Sequence, residues 1–221
     1  MLYTLENVKA NIRNRAGKRV FFLGQGDQLT VEARDHLNRE RIEILPGRMA
    51  AITEYEIAGG GTTDRKPENM THLHGNVLVP KTHPRIAFRG AVDTLEAELL
   101  LCGQGVKEIL ELTRRLIRCD VMEEPVGEFS LYGMDADAIR KRSHFPQEYY
   151  GQPHFVPDFS DSAYLLQLNR TRCAARSAEL AAVAAFPQRQ DMVQAMNRIS
   201  SMLWILEIRM KKGAETDAMH R

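Results

Sequence analysis

The chain has 221 residues, of which 43% are hydrophobic and 27% charged, a composition typical of globular proteins and too apolar for wholesale disorder. Thirty basic and twenty-nine acidic residues leave a formal charge of +1, which gives no electrostatic reason to bind nucleic acid or an anionic membrane. Three distant cysteines (Cys102, Cys119 and Cys173) favour reduced core thiols, and neither a membrane span nor a signal peptide is recognisable, so we expect a cytoplasmic protein.

Residues 1–47 are predicted to form a small separate α+β unit. The apolar and aromatic run Lys18–Leu23 indicates a strand that ends at glycines. Thr30 is a suitable cap for the helix that follows, and residues 41–45 alternate like a second strand. A unit of this size buries little apolar area, so we expect it to lean on the main domain or on a partner.

Residues 48–65 are predicted to be an interdomain linker. Gly59–Gly61 could form a phosphate loop, but the spacing of known phosphate loops is absent, so the linker is favoured. The next segment, 66–85, carries Lys66, Thr71 and Lys81. Two cations and a hydroxyl are the residue types that hold polyphosphates, although composition alone favours a solvated loop.

His72 and His74 alternate as in a strand and could be read as a metal pair. Neither a carboxylate nor a thiol lies at ligand spacing beside them, so structural or surface histidines are favoured. The sequence therefore predicts no metal-binding residues.

A bundle of four or five antiparallel helices is predicted over residues 66–213. The expected helices cover about 84–102, 106–118, 135–142, 160–186 and 188–212, and Gly213 is the expected stop before a frayed tail at 214–221. Long amphipathic helices with short connections favour antiparallel packing. We therefore expect a mainly α fold, a four/five-helix bundle with a small α+β N-terminal appendage.

The helix predicted from Ser160 to Phe186 carries charges where it should face the core. Positions recurring at steps of three and four read Leu, Leu, Arg, Ala, Glu, Ala and Phe, so Arg172 and Glu179 interrupt an apolar row. Arg176 lies one turn after Arg172 beside the same face. Because buried charge is costly unless paired or offered a ligand, this face is either a structural ion-pair network or the wall of a polar site.

Three more polar residues are placed where bundle packing could bring them to this face. Asn197 and Arg198 flank the apolar row of the last helix, and Asp93 lies beside that of the first helix, with Arg89 as its simplest partner. The aromatic segment FPQEYYGQPHFVPDF, residues 145–159, packs over the bundle end or covers a flat ligand. From the residues alone, we expect an Arg-rich cleft suited to an anion.

Four stretches together carry a resemblance to a known family. They are THLHGNVLVPKTHPRIAFRGAVDTLEAEL (71–99), HFVP (154–157), the RxxxRxxE spacing of Arg172, Arg176 and Glu179, and MNRISS (196–201). In order and spacing they resemble the ATP:cob(I)alamin adenosyltransferases of the ethanolamine-utilisation type, relatives of the propanediol-utilisation type. The match spans about residues 64–212, and the N-terminal unit resembles the leader domain of that subfamily.

The resemblance implies an enzyme that transfers the 5′-deoxyadenosyl group of ATP to the cobalt of reduced cobalamin, through four-coordinate Co(II) and then Co(I), releasing triphosphate. It also implies Mg²⁺, a homo-oligomer, with a trimer favoured, and active sites between subunits. A cytoplasmic location associated with a bacterial microcompartment, with a reductase and a cobalamin-dependent lyase as partners, follows from the same resemblance.

The resemblance also assigns roles to residues. Asp93 and Arg172 correspond to a pair across the subunit interface, Arg176 to the arginine on the triphosphate, and Glu179 to the acid that orients it. The remaining nucleotide-binding correspondences are Lys66, Thr71, Lys81, Asn197 and Arg198. The phenylalanine that displaces the lower axial ligand of cobalt corresponds to His154 by spacing from Pro157 and to Phe155 by chemistry, and we choose Phe155.

The sequence departs from the family pattern at two places. Many ethanolamine-type relatives carry a His and a CC-x-x-C cluster that holds a divalent metal, whereas GGGTTDRKPE (59–68) has no cysteine, so we expect no thiolate-bound metal. Ser201 stands where the propanediol type has an aspartate. The alternative function is a non-catalytic carrier of corrinoid or nucleotide serving a cobalamin-dependent lyase, which would have little reason to keep the Arg-Arg-Glu spacing.

Overall fold

The computed structural model describes residues 1–15, 17–47 and 54–219, and the chain divides into two compact units, Met1–His83 and Pro84–Arg221. Residues 48–53 of the predicted linker lie outside the described residues. Among the helices described, none is both long and apolar enough to cross a membrane.

The first part of the N-terminal unit is a small α+β layer. Its elements are β1 (Leu2–Tyr3), α1 (Leu5–Asn11), β2 (Arg13–Arg15), β3 (Lys18–Leu23), β4 (Gln28–Leu29), α2 (Val31–Arg39) and β5 (Glu43–Pro46). Strand β3 pairs antiparallel with β2 and parallel with β5. The predicted strand and the cap at Thr30, which accepts a hydrogen bond from the Ala33 amide, are confirmed.

A four-stranded sheet completes this unit. It contains β6 (Tyr55–Ile57), β7 (Thr62–Thr63), β8 (Met70–His74) and β9 (Val77–Pro80), in the order β7-β6-β9-β8. Gly59–Gly61 turns the chain between β6 and β7, and all three glycines have positive φ, which side chains disfavour. Because β8 and β9 pair with this sheet, residues 66–83 belong to the first compact unit, and the second begins at Pro84.

The second unit is a helical bundle, as predicted. Its helices are α3 (Pro84–Cys102), α4 (Lys107–Val121), α5 (Ala136–His144), α6 (Pro146–Tyr150), α7 (Ala163–Ala185) and α8 (Gln190–Met219). A 3-10 turn (Gly103–Val106) links α3 to α4, and a hairpin of β10 (Ser130–Leu131) and β11 (Met134–Asp135) precedes α5. Helix α3 packs along α7, and α7 packs along α8.

The core of the bundle follows the predicted apolar rows. The buried side chains of α3 are Phe88, Val92, Leu95, Glu98, Leu99 and Cys102. Those of α8 include Met192, Met196, Ile199 and Leu203, so this Met-rich row is core, as the sequence indicates. Cys173 is the exception to the predicted core thiols, since it is exposed on α7 next to the cleft-facing Arg172.

Two helix ends differ from the sequence prediction. Helix α7 begins at Ala163, because Ser162 caps it by accepting a hydrogen bond from the Leu165 amide, whereas Ser160 bonds Asp158 in the preceding turn. Helix α8 continues through Gly213 to Met219. A C-terminal glycine stops a helix by adopting positive φ, and Gly213 is not among the positive-φ glycines.

Arg89, the simplest partner that the sequence offers for Asp93, bonds another carboxylate. Arg89 Nε instead donates to Asp120 Oδ2 at 2.6 Å, and Arg85 Nε donates to Asp120 Oδ1 at 2.6 Å. The Asp120 side chain is fully buried, and a buried carboxylate needs opposite charge nearby to offset the cost of its desolvation. The two guanidiniums supply that charge. This cluster fastens α3 to α4.

Candidate functional site

A cleft of about 420 Å³ lies on the side of the bundle formed by α5, the segment after α6, α7 and α8. It is lined by Ser143, His144, His154, Arg172, Arg176, Ser200, Ser201 and Trp204. Both arginines of the RxxxRxxE spacing therefore face one cavity, which the sequence predicts from their i, i+4 spacing on α7.

Arg172 is held by three contacts. Its Nε donates to Glu207 Oε1 at 3.0 Å, and its Nη2 donates to Asn169 Oδ1 at 2.8 Å. The guanidinium carbon lies 5.0 Å from the centre of the Trp204 ring, a cation–π distance. The two readings left open by the sequence are thus both realised, because Arg172 belongs to a buried ion pair and also lines a polar cleft.

Glu207 is the buried partner in that pair. Its side chain is 0% exposed, whereas that of Arg172 is 21% exposed. Burial raises the pKa of Glu207 to about 7, and the charge and hydrogen bond of Arg172 oppose this only in part. Glu207 Oε2 has no hydrogen-bond partner among the described residues.

Glu179 joins α7 to α8 through both carboxylate oxygens. Asn197 Nδ2 donates to Oε1 at 2.8 Å and Ser200 Oγ donates to Oε2 at 3.1 Å, so the predicted contact between Asn197 and the α7 face is present. Asn197 Oδ1 in turn accepts from Arg198, whose Nε donates to the Ala136 carbonyl at 2.6 Å. This chain of hydrogen bonds fixes Glu179 with respect to α5 and α8.

Arg176 is the cation that remains open to solvent. It is exposed one turn beyond Arg172, and within the described residues it makes no ion pair. Arg172 has Glu207 as an acidic partner, whereas Arg176 has no acidic partner among the described residues, so its positive charge is available to a ligand in the cleft. A guanidinium in this state can bind phosphate oxygens with two parallel hydrogen bonds.

Trp204 forms the aromatic wall of the cleft. The His154 ring stacks on it at 5.8 Å with a 4° angle between planes, and the Phe155 ring stacks on it at 5.0 Å with a 26° angle. Lys211 Nζ lies 5.6 Å from the Phe155 ring. The segment thus packs on α8, and both residues considered for the cobalt-facing position reach Trp204.

The other predicted site residues lie elsewhere. Arg198 is buried and donates a hydrogen bond to Asn197, and neither residue lines the cleft. Asp93 is exposed on α3 and makes no ion pair with any residue that the structure describes. An exposed carboxylate without a partner is compatible with pairing to a second copy of the chain, which remains a prediction.

Lys66, Thr71 and Lys81 belong to the first unit. Thr71 pairs with Val79 across β8 and β9, and the Lys81 amide donates to the Asn69 carbonyl at 2.9 Å. The pKa of His72, next to Thr71, is lowered by burial and by the nearby charges of Lys66 and Arg13. These contacts bring Lys66, Thr71 and Lys81 near one end of the β8–β9 hairpin.

Sequence reasoning missed Trp204, Glu207, Ser143 and His144. Glu207 lies four residues after Leu203 in the core-facing row of α8, which is the same signal that drew attention to Glu179. Trp204 is the only tryptophan of the chain and follows Ser200 by one turn. Among residues 1–15, 17–47 and 54–219, no group of three or more His, Cys, Asp or Glu side chains is arranged to hold a metal ion.

Comparisons with known proteins agree with the family resemblance. The sequence model of the family described as Cobalamin adenosyltransferase matches residues 62–210. The corrinoid adenosyltransferases EutT of Salmonella typhimurium and Escherichia coli K12 are each 30% identical to this chain over 158 residues. These matches span 65% of this chain but only 59% of each relative.

Two similar solved structures are variants of a PduO-type ATP:corrinoid adenosyltransferase from Lactobacillus reuteri, complexed with cobalamin and ATP. They align over 73% and 71% of this chain and over 90% and 87% of their own chains. Their sequence identities are 15% and 16%, with TM-scores of 0.46 and 0.43.

Proposed function

Because this chain belongs to the cobalamin adenosyltransferase family, we propose that it transfers the 5′-deoxyadenosyl group of ATP to the cobalt of reduced cobalamin. The observation that carries this proposal is a cleft lined by two arginines and by the stacked rings of Trp204 and His154. The arginines suit a polyphosphate and the stacked rings suit a flat apolar macrocycle, which are the two substrates of the reaction.

At the nucleotide end, the leaving group is triphosphate. Arg176 is proposed to bind its oxygens directly, because its guanidinium is exposed in the cleft and unpaired among the described residues. Arg172 supplies a second guanidinium that is already held in place, and Glu179 with Asn197 fixes the α7–α8 surface beneath them. Catalysis then rests on positioning and on charge stabilisation of the leaving group.

At the corrinoid end, we propose that Phe155 covers the lower face of cobalt. An apolar ring there excludes water and the axial base, which leaves four-coordinate Co(II) and makes reduction to Co(I) easier. Co(I) then donates an electron pair to the 5′ carbon of ATP, and the carbon–oxygen bond breaks with its pair going to triphosphate. Stacking on Trp204 holds the Phe155 ring for this role.

Further components of the proposal lie beyond the cleft. Mg²⁺ would be bound by the triphosphate, since this ion prefers phosphate and carboxylate oxygens and keeps several waters. Lys66, Thr71 and Lys81 are proposed to bind the nucleotide as well. Asp93 is proposed to act from a neighbouring subunit of a trimer.

Exposed apolar side chains support an oligomer. Leu100 and Leu101 on α3 are 58% and 69% exposed, and Leu180 and Val183 on α7 are 73% and 51% exposed. Because α3 and α7 pack side by side, these residues offer apolar surface for a second copy to cover. The cytoplasmic microcompartment setting, the reductase and the lyase partner are proposals from the ethanolamine-utilisation resemblance.

The proposed function is tested with Arg176→Ala. Removing one preorganised charge that stabilises a leaving group costs about 10²–10³ in turnover, and the exposed position predicts an unchanged fold. The assay follows adenosylcobalamin formation from ATP, Mg²⁺ and chemically reduced cobalamin, with circular dichroism as the folding control. Turnover within twofold of the wild type would contradict the assignment, whereas substrate binding by the wild type without transfer would indicate the carrier function.

A further inference from the structure

Glu207 is a buried acid that the sequence resemblance does not assign to the site. It lies on α8 with its side chain fully buried and bonds the cleft arginine through one oxygen only. The other oxygen, Oε2, is buried without a hydrogen-bond partner in the described part of the chain. Glu207 is therefore a desolvated carboxylate with one oxygen bonded to an arginine of the cleft and the other oxygen unsatisfied.

Stability does not account for an acid at this position. A buried ion pair often contributes no more stability than well-packed apolar residues of the same volume, because desolvation offsets the attraction. An unsatisfied buried oxygen adds a further cost. The neighbouring core positions Leu203 and Ile208 show that α8 accommodates aliphatic side chains here.

Orientation accounts for it better. Glu207 accepts from Nε of Arg172 and Asn169 accepts from Nη2, so the guanidinium is restrained at two of its three nitrogens. Its carbon lies 5.0 Å from the centre of the Trp204 ring. Within the described residues, Nη1 is left without a hydrogen-bond partner while Arg172 lines the cleft. An arginine held in this way offers a pre-oriented donor, which lowers the ordering cost of binding an anion.

We propose that Glu207 is a positioning residue that acts through Arg172, holding its guanidinium against Trp204 so that a polyphosphate meets a prepared donor supplied by one chain. The identity of the polyphosphate as ATP rests on the proposed function. The positioning itself does not need a carboxylate from a neighbouring subunit, which is the role the family resemblance gives to Asp93.

The pairing is tested first in ligand-free protein through Trp204, the only tryptophan. Arg172→Ala removes the cation over the ring, so its emission spectrum should change. Glu207→Leu should give the same change, and the double variant should add nothing further. Additive changes in the double variant would show that Glu207 does not act through Arg172.

The effect of the Glu207–Arg172 contact on anion binding is tested with inorganic tripolyphosphate and with ATP. In Glu207→Leu, Arg172 is no longer held in place for its contact with the anion. We expect a dissociation constant for tripolyphosphate about tenfold larger, a similar rise in KM for ATP and a smaller change in kcat. Glu207→Gln keeps an acceptor for Arg172 Nε and should recover most of the loss. This recovery distinguishes positioning from general damage.

Glu98 provides the matched control. Glu98 is a buried acid on α3 that accepts a hydrogen bond from Arg170 Nε at 2.9 Å. Arg170 lies on the same helix as Arg172, but neither Glu98 nor Arg170 lines the cleft. Glu98→Gln should leave KM for ATP and tripolyphosphate binding unchanged. If Glu207→Leu lowers the melting temperature but leaves both binding constants within twofold of the wild type, Glu207 is structural and the proposal is wrong.

Failure of the proposed function has a different signature. If the wild type forms no adenosylcobalamin, but the Trp204 emission changes are non-additive and Glu207→Leu weakens tripolyphosphate binding, positioning by Glu207 stands and the reaction assignment falls. If adenosylcobalamin forms normally and the emission changes are additive, the reaction assignment stands and the positioning role falls.

Discussion

The protonation of Glu207 should make the free energy of unfolding depend on pH. Its pKa is raised from the ordinary value of 4.5 to about 7 in the folded protein, chiefly by burial. The folded state therefore binds this proton more tightly than the unfolded state. The contribution to stability is fully present below pH 4.5 and is lost as the pH rises through 7.

The size of this contribution follows from the pKa values. The increase from 4.5 to about 7 spans about two and a half pKa units, and at ~1.4 kcal/mol for each unit the free energy of unfolding should fall by about 3 kcal/mol across the window. The charge and the hydrogen bond of Arg172 lower the pKa of Glu207, but burial raises it by more, so the net shift is upward. Glu207→Gln removes the titration but keeps the side-chain shape.

The assay is urea unfolding of the wild type and of Glu207→Gln between pH 4.5 and 8, followed by Trp204 emission. All other titrating groups are common to both proteins, so the difference in unfolding free energy isolates Glu207. We expect the wild type to lose stability relative to the variant as the pH rises. A difference that does not change with pH would mean that Arg172 keeps the carboxylate ionised throughout, and would contradict the raised pKa of Glu207.

Three further predictions concern the lower cobalt face, the α7 cap and metals. Phe155→Ala should abolish adenosylation of cob(II)alamin in a reductase-coupled assay while ATP binding persists. His154→Ala should lower the rate of adenosylation by less, and the reverse order would assign the cobalt-facing position to His154. Ser162→Ala should lower the free energy of unfolding by about 1 kcal/mol in urea titrations, because the Leu165 amide loses its cap, and an unchanged value would contradict the cap. Chelating transition metals with Mg²⁺ in excess should leave turnover intact, whereas loss restored only by zinc or iron would reveal a required metal.

The α7 face could be predicted from the sequence because the signal is local. A helix of this length fixes which side chains share a face, so Arg172 and Glu179 had to stand out from the row of Leu165, Leu168 and Ala175. The same periodicity located α3 and its buried residues. Two positively charged side chains one turn apart were enough to predict an anion-binding face.

The partners of those charges could not be predicted in the same way. Which residue of α8 meets Arg172 depends on the rotation and offset of two packed helices, and neither is encoded in local spacing. The contact of Arg172 with Glu207 within the chain was therefore not predicted. The pair of Arg172 with Asp93 of a neighbouring subunit, which the family resemblance implies, stays a prediction. Asn197 was placed correctly because it flanks the core row of α8 and faces α7.

The N-terminal unit shows the other limit. Strand β3 is six residues long and apolar enough to recognise, but β6 and β7 have three and two residues and are half-buried or exposed. Strands this short are stabilised by pairing with distant segments, not by their own pattern. The glycine run 59–61 accordingly suggested a linker, although it forms the turn between two strands.

Adenosyl transfer to cobalt is tested by incubating the protein with ATP, Mg²⁺ and chemically reduced cobalamin and recording the absorption spectrum over time. We expect the adenosylcobalamin spectrum, with one triphosphate released for each cobalt alkylated and turnover reduced about 10²–10³-fold in Arg176→Ala. A cob(I)alamin spectrum that persists in the presence of folded, ATP-bound protein would contradict the proposed transfer.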